Sequence, residues 1–281
     1  MFFLCALCVS AVQKSYEALM SKEKDLIADK ALSAATAAVY SAGNIIREKS
    51  ATVFQVNHKG AADLVTEVDL AAEKEIIAIL SRAFSGHRVV GEESGVGEGE
   101  SDYIWWIDPI DGTTNFVHGY PFYSVSVALE YRGESIVGIV YDPTRNELFQ
   151  AVKGRGTFLN GTPITVSMVE TLNDSLLATG FPYDRSRRKE ALDLAAGLLK
   201  RVQGVRRDAS AALDLAYVAA GRLDGFWEFG LKPWDTAAGR LLVEEAGGKI
   251  SDFKGDIFDI RQGAVVAANA LIHAELLEQL N

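Results

Sequence analysis

Residues 105–116 read WWIDPIDGTTNF. An apolar run that reads as a buried strand stops at two aspartates, Asp108 and Asp111, and leaves through Gly112, Thr113 and Thr114. A strand ending in plain solvent closes more cheaply with a lone Asp or an Asn-Gly turn. Two carboxylates around a proline, followed by bare backbone and a helix start, suit a stretch that holds something positive and, beside it, something negative. Pro109 fixes φ and helps the Ile110 carbonyl point the same way as the two carboxylates, which lets Asp108 bridge two metal ions. Unpaired N–H groups at Gly112 and Thr113 favour an anion such as phosphate. Taken alone, this pattern also occurs in calcium loops and simple turns. Its neighbours in the chain decide between these readings.

Outward from this stretch, strand patterns occupy 88–91, 103–107, 124–131, 135–141 and 147–152. The last three are joined by short turn-rich links, which predicts an antiparallel meander. Gly154, Gly156 and Gly161 punctuate a further hairpin, and their spacing does not match a dinucleotide fingerprint. Before the strands, apolar residues at three- and four-residue steps predict one helix over about 26–49 and a second over 70–84, with Thr66 and Asp69 as rival N-caps. The loop between them carries Lys59 and Asp63. After residue 185, helices over 187–201, 211–220 and 234–246 alternate with strands over 225–229, 249–252 and 264–268, the pattern of an α/β half. The expected organisation is an N-terminal extension at 1–22, an α+β half at 23–167 with the metal-binding motif, and an α/β half at 168–281 that completes the active site. Both sheet-containing halves pack into one body.

Composition narrows the chemistry. The chain has 281 residues, 48% of them hydrophobic, and a net charge of −10, so a general pull toward nucleic acid or anionic lipid is not expected. Its two cysteines, Cys5 and Cys8, stand in the first ten residues, and its four histidines are scattered, which leaves neither a disulfide framework nor a thiolate or imidazole metal cage. The apolar run at 2–12 is too short to span a bilayer and lacks the basic start of a secretory signal. It reads as an amphipathic segment, a weak export signal, or a stretch upstream of a true start at Met20. We favour the last reading and a cytoplasmic protein.

Three acidic spots remain: Glu92 in GEES at 91–94, Asp108 and Asp111, and Asp235 in PWD at 233–235. Such element ends converge in a crevice in open α/β sheets. Four carboxylates brought together need a cation, and an all-oxygen donor set selects Mg2+, with Mn2+ as a substitute. Metal beside a phosphate-binding turn suits phosphate ester hydrolysis by water, without a Ser, Cys or His nucleophile.

The set KGAADLVTEVD, GEES, WIDPIDGTTNF and WDTAAGRLLVEEAGG resembles the inositol monophosphatase family from about residue 25 to the end. The resemblance implies a layered αβαβα sandwich of the lithium-sensitive, Mg2+-dependent sugar phosphatase type, two or three Mg2+ ions per site, and a homodimer. It assigns Glu92, Asp108, the Ile110 carbonyl, Asp111 and Asp235 to metal. Thr113, with Asp69 behind it and Glu92 across from it, would orient and deprotonate the attacking water. Gly112 and Thr113 would bind phosphate, while Ala209, Ala211, Glu228 and Asp235 would line the substrate, with Glu228 accepting hydrogen bonds from its hydroxyls. Lys59 and Asp63 match the family's mobile loop, and Glu93 matches a residue close to the weakest metal. One departure stands out: Ala209 replaces a glycine usual in bacterial-type members, which is unfavourable if that backbone needs φ > 0.

The implied substrate is inositol 1-phosphate or a similar polyol or sugar phosphate, with histidinol phosphate and fructose 1,6-bisphosphate as alternatives. A rival from another class is an accessory factor that binds RNA or the transcription machinery through Arg185, Arg187, Arg188, Lys189, Arg201, Arg206 and Arg207. Such a basic cluster is more often a solvated helix face or an aid to holding an anionic substrate.

Overall fold

Trp105 and Trp106 are neighbours in the chain and lie in different cores. Side chains alternate across a strand, so two consecutive buried tryptophans require a sheet covered on both faces. A computed structural model describes residues 6–50, 52–58, 64–97 and 99–281; for 6–24 and 58 it describes backbone alone. Helix α1 (Ala6–Ser50) is followed by a short hairpin, β1 (Val56–His58) and β2 (Leu64–Thr66), and by α2 (Glu67–Ala83). Next come β3 (Arg88–Gly91), β4 (Gly95–Val96), β5 (Tyr103–Asp111), α3 (Thr113–Val117), β6 (Ser124–Tyr131), β7 (Glu134–Asp142), β8 (Glu147–Val152), β9 (Thr157–Leu159) and β10 (Thr162–Ile164). The remainder is β11 (Leu176–Thr179), α4 (Arg188–Leu198), β12 (Gly204–Arg206), α5 (Ala211–Ala219), β13 (Gly225–Phe229), α6 (Pro233–Glu245), β14 (Lys249–Ser251), β15 (Ala264–Ala268) and α7 (His273–Leu280).

The larger sheet has eight strands in the order β10-β9-β8-β7-β6-β5-β3-β4, and the smaller has five in the order β12-β11-β13-β15-β14. One face of the larger sheet, with Trp105, Val127 and Ile139, packs on α1 and α2 through Ala35, Val39, Ile76 and Leu80. Its other face, with Trp106, Ala128 and Val140, meets α5 and α6, which in turn meet Phe226, Val265 and Ala267 of the smaller sheet. The far face of that sheet, Trp227 and Val266, is covered by α4 and α7 through Leu198 and Leu276. The layers are therefore α, β, α, β, α, as expected.

The meander and the glycine-punctuated hairpin are where the pattern places them. Thr66 is the N-cap of α2, and Asp69 is its capping-box partner at N3, so both rivals serve the same cap. Two expectations need correction. The first helix starts at Ala6, well before residue 26, and so takes in most of the expected extension. Strand β5 continues through Asp111, so both aspartates lie within the strand, with a register shift against β6 between Asp108 and Asp111. Pro109 cannot donate to the ladder, and the irregularity falls there. Several short elements carried no usable pattern: β1, β2, β4, β11 and β12 have two to four residues each. Among the described residues no helix is long and apolar enough to cross a membrane.

Candidate active site

Strand pairing brings the acidic spots together. β3 and β5 are parallel, with Gly91 opposite Ile107, so the residues that follow, Glu92 and Asp108, lie side by side at the same end of the sheet. The Glu92 N–H donates to the Ile107 carbonyl at 3.0 Å. On the other face of this sheet, α6 is seated by hydrogen bonds from Ser126 Oγ to the Trp234 carbonyl (3.1 Å) and from Ser135 Oγ to the Ala237 carbonyl (3.0 Å). Gly138 lets the helix in: a methyl group there would lie 2.8 Å from the Ala238 carbonyl oxygen. Pro233 at the helix start and Asp235 at N3 then face the same end.

The result is a cavity of about 350 Å³. Glu92, Asp108, Ile110, Asp111, Gly112, Thr113, Ala209, Ala211, Glu228 and Asp235 all line it. Asp69 is fully buried behind Thr113, whose hydroxyl lies 3.2 Å from Asp69 Oδ1 and 3.0 Å from the Ile110 carbonyl oxygen. Lys59 and Asp63 lie outside the described residues.

The three aspartates are tethered. Asp111 Oδ2 accepts from Ser210 Oγ and from the Ala212 N–H, both at 2.7 Å, and so caps α5 from the larger sheet. Asp235 Oδ2 accepts from the Lys232 N–H (2.7 Å), and Asp108 Oδ1 from the Ile110 N–H (3.0 Å). These tethers hold the side chains around one space without closing them on one point. Among the described residues no three His, Cys, Asp or Glu side chains form a ready cage.

Burial, then the charges of Glu92, Asp111, Asp235 and Asp69, holds Asp108 well above the usual carboxylate range. Burial pushes Asp111 up to about 6, with the Ser210 and Ala212 hydrogen bonds opposing. Asp235 is raised by burial and by Asp111 and Glu92, and Glu228 goes up to about 8 by burial and Asp111, against Arg207. Asp69 is raised by burial, against hydrogen bonds from Thr66 and Thr113. Mutual repulsion of this kind favours a bound cation.

Ala209 has φ +67°, so its methyl group does sit in left-handed backbone. Gly112 opposite has φ +102°, and a methyl group there would approach the Ala209 carbonyl oxygen to 3.1 Å. The sequence reading did not single out Phe181, Tyr183 or Lys232, and named Arg188 and Arg207 only within a basic cluster that could be a solvated face or an aid to holding an anionic substrate. Phe181, Tyr183, Arg188, Arg207 and Lys232 line the cavity from the smaller-sheet side, and Gly180 makes room for the Glu228 carboxylate. Asp214 on α5 is buried, with no partner for Oδ1, and is raised well above its usual range. Glu73 is buried on α2. The one available signal was position: Asp69 and Glu73 fall on the apolar stripe of α2, where a charge is out of place.

The sequence profile of the inositol monophosphatase family matches residues 28–281. The chain belongs to the inositol monophosphatase family. The chain is 48% identical over 255 residues to the Nus factor SuhB of Pseudomonas aeruginosa, covering 88% of this chain and 94% of that one. It is 46% identical to the inositol-1-monophosphatase of Synechocystis, over 89% of this chain and 88% of that one. The crystal structure of the extragenic suppressor protein suhB from Bartonella henselae superposes with a TM-score of 0.87 at 40% identity, covering 89% of this chain and 98% of the other. Family and neighbours make it a phosphatase, and the family is generally Mg2+-dependent. The residues fit that ion: every candidate donor around the cavity is an oxygen, and the carboxylates repel one another.

Proposed function

We propose that this phosphatase hydrolyses inositol 1-phosphate or a closely similar polyol or sugar phosphate, releasing the alcohol and inorganic phosphate. One observation carries the reading: a single cavity is lined by the carboxylates of Glu92, Asp108, Asp111 and Asp235, by Thr113 with Asp69 buried behind it, and by the further carboxylate of Glu228. Glu92, Asp108, Asp111, Asp235 and the Ile110 carbonyl would hold Mg2+. When bound, that ion supplies charge stabilisation to the phosphoryl oxygens and acidifies the attacking water. The Gly112 and Thr113 N–H groups orient the phosphate. Thr113 Oγ1 donates its proton toward Asp69 and so presents a lone pair to the water, with Glu92 across from it as a second proton acceptor. Glu228 accepts hydrogen bonds from hydroxyls of the leaving alcohol, aided by Ala209 and Ala211 at the rim. Function in the cytoplasm and as a homodimer belong to the same proposal.

Turnover of a panel of phosphate monoesters, including histidinol phosphate and fructose 1,6-bisphosphate, with Mg2+ and with chelator tests it. Hydrolysis should stop with the chelator; full activity in metal-free buffer refutes the mechanism. Arg188 and Arg207 make no salt bridge among the described residues and line the cavity, which favours keeping substrates with a second anionic group in that panel.

The SuhB relatives named as Nus factors support a second role, on the transcription machinery. Much of the basic cluster is otherwise engaged here: Arg187 pairs with Glu190 and Lys189 with Asp193, while Arg188 and Arg207 face the cavity. A salt-dependent RNA or polymerase pull-down that survives Asp108→Asn would favour that role.

A further inference from the structure

Helix α2 carries two buried carboxylates one turn apart, Asp69 and Glu73. Asp69 reaches Thr113. Glu73 has no part in the chemistry above, yet it is only 3% exposed and both its oxygens are used. Its Oε2 accepts the Glu93 N–H at 2.9 Å, and its Oε1 accepts the Ser94 N–H at 2.7 Å. These donors belong to the two residues immediately after Glu92, whose own N–H is held by Ile107. The backbone from 92 to 94 is thus pinned on one side to the strand that carries Asp108 and on the other to the helix that carries Asp69.

Gly91 completes the arrangement. A methyl group there would lie 2.4 Å from Glu73 Oε2, and its φ is outside the left-handed region, so the glycine makes room for this carboxylate and serves no turn. A plain core contact between α2 and β3 would use an apolar side chain at position 73, at no cost in desolvation. A buried carboxylate taking two consecutive backbone N–H groups instead fixes the path of the chain in two places, through charge-assisted hydrogen bonds.

We propose that Glu73 is the positioning residue for Glu92: by holding the Glu93 and Ser94 amides it sets where the Glu92 carboxylate stands beside Asp108. The proposal rests on the phosphatase site described above. Because Asp69 and Glu73 share one helical face, α2 is a single strut that locates both the Glu92 loop and the Thr113 hydroxyl.

Glu73→Gln tests it, since the amide keeps the shape and one acceptor but turns an NH2 toward a backbone N–H. In the full-length variant, hydrogen exchange at the Glu93 and Ser94 amides should accelerate. Mn2+ affinity, read from the free-ion EPR signal, should fall by about 10- to 100-fold, the range for residues that orient metal ligands. Gly91→Ala pushes the same carboxylate away from the other side and should reproduce both effects; in a Glu73→Ala background it should add little, because the obstacle is gone. Ile76→Val, on the same buried helix face, is the control: it should lower the melting temperature and leave Mn2+ affinity unchanged. If Glu73→Gln does not fold, Gly91→Ala carries the test with the same readouts. Wild-type Mn2+ affinity in the folded variants, equal weakening in Ile76→Val, or additive losses at positions 73 and 91 would each overturn the proposal. A wild-type protein that neither binds Mn2+ nor hydrolyses phosphate esters overturns the functional reading and the proposal with it. Unchanged amide exchange in Glu73→Gln, with wild-type activity intact, refutes the proposal alone.

Discussion

Glu228→Gln separates the electrostatics of the site from its chemistry. Burial, with Asp111 adding and Arg207 opposing, moves the Glu228 carboxyl from an ordinary 4.5 to about 8. The folded state then binds this proton more tightly than the unfolded chain, so the contribution of this group to stability falls as pH rises from 4.5 toward 8. At 1.36 kcal/mol per pKa unit the penalty is about 1 kcal/mol at pH 5, about 3 at pH 7 and about 5 at pH 9. These are upper values, because the side chain is only half-buried at the cavity wall and solvent screens part of the charge. Glutamine has nearly the same shape and cannot ionise. In chelator, the variant should therefore match the wild type near pH 4.5 and gain on it steadily up to pH 9. Urea unfolding followed by tryptophan fluorescence at five pH values measures this, with Trp227 beside the mutated position as reporter. Two stability curves running parallel across this range would refute the assigned environment of Glu228.

Other outcomes follow from the same site. Assayed at about pH 9, above the value of about 8 to which burial moves the Glu228 carboxyl, so that the group is ionised, Glu228→Ala should lower kcat/KM for an inositol phosphate by about 1.5–3 kcal/mol, the range for hydrogen bonds to a charged group, and be nearly silent on 4-nitrophenyl phosphate; equal losses on both would make the residue structural. Asp108→Asn or Asp235→Asn should cut turnover by orders of magnitude and stabilise the metal-free protein, because each relieves repulsion within the cluster; near-normal turnover with unchanged metal affinity removes that aspartate from the site. Thr113→Ala should lower kcat with little change in metal binding, as its backbone N–H persists; an unchanged kcat moves the proton-acceptor role to Glu92 alone. Ala209→Gly should raise stability by roughly 0.5–1 kcal/mol, the left-handed strain of about 1–2 kcal/mol less the extra unfolded freedom of glycine; a lower urea midpoint contradicts this.

Much of the site was readable because its residues stand in short motifs at the ends of strongly patterned elements. Asp108 and Asp111 interrupt an apolar strand, Asp235 follows a proline at a helix start, and Ala209 broke a familiar glycine position. The aspartates are polar residues at the ends of patterned elements, a local feature that survives in a linear sequence, whereas Ala209 stood out only through the family resemblance. Lys232 was not singled out, and Arg188 and Arg207 stood only in a basic cluster open to two readings, a solvated face or an aid to an anionic substrate, because an exposed-looking cation reads the same on a solvated helix and on a cavity wall. Glu73 was missed for a related reason: its partners are backbone amides 20 and 21 residues away, which no side-chain pattern encodes.

By itself the sequence determined the type of chemistry: an excess of acid, no usable thiol or imidazole cluster, and carboxylates at element ends admit a hard cation and a phosphate. The layering was implied by the family resemblance, and the structure supplies its physical reason: Trp105 and Trp106 are both buried, in different cores, so the sheet is covered on both faces. Tertiary structure alone decided which oxygens share a space. The parallel pairing of β3 with β5 sets Glu92 beside Asp108, and the packing of α5 and α6 between two sheets brings Asp111 to Ser210 and Asp235 to the same cavity. These are contacts between segments up to about a hundred residues apart. They depend on register and on close approach at Gly91, Gly138 and Gly180, which local preference along the chain does not specify.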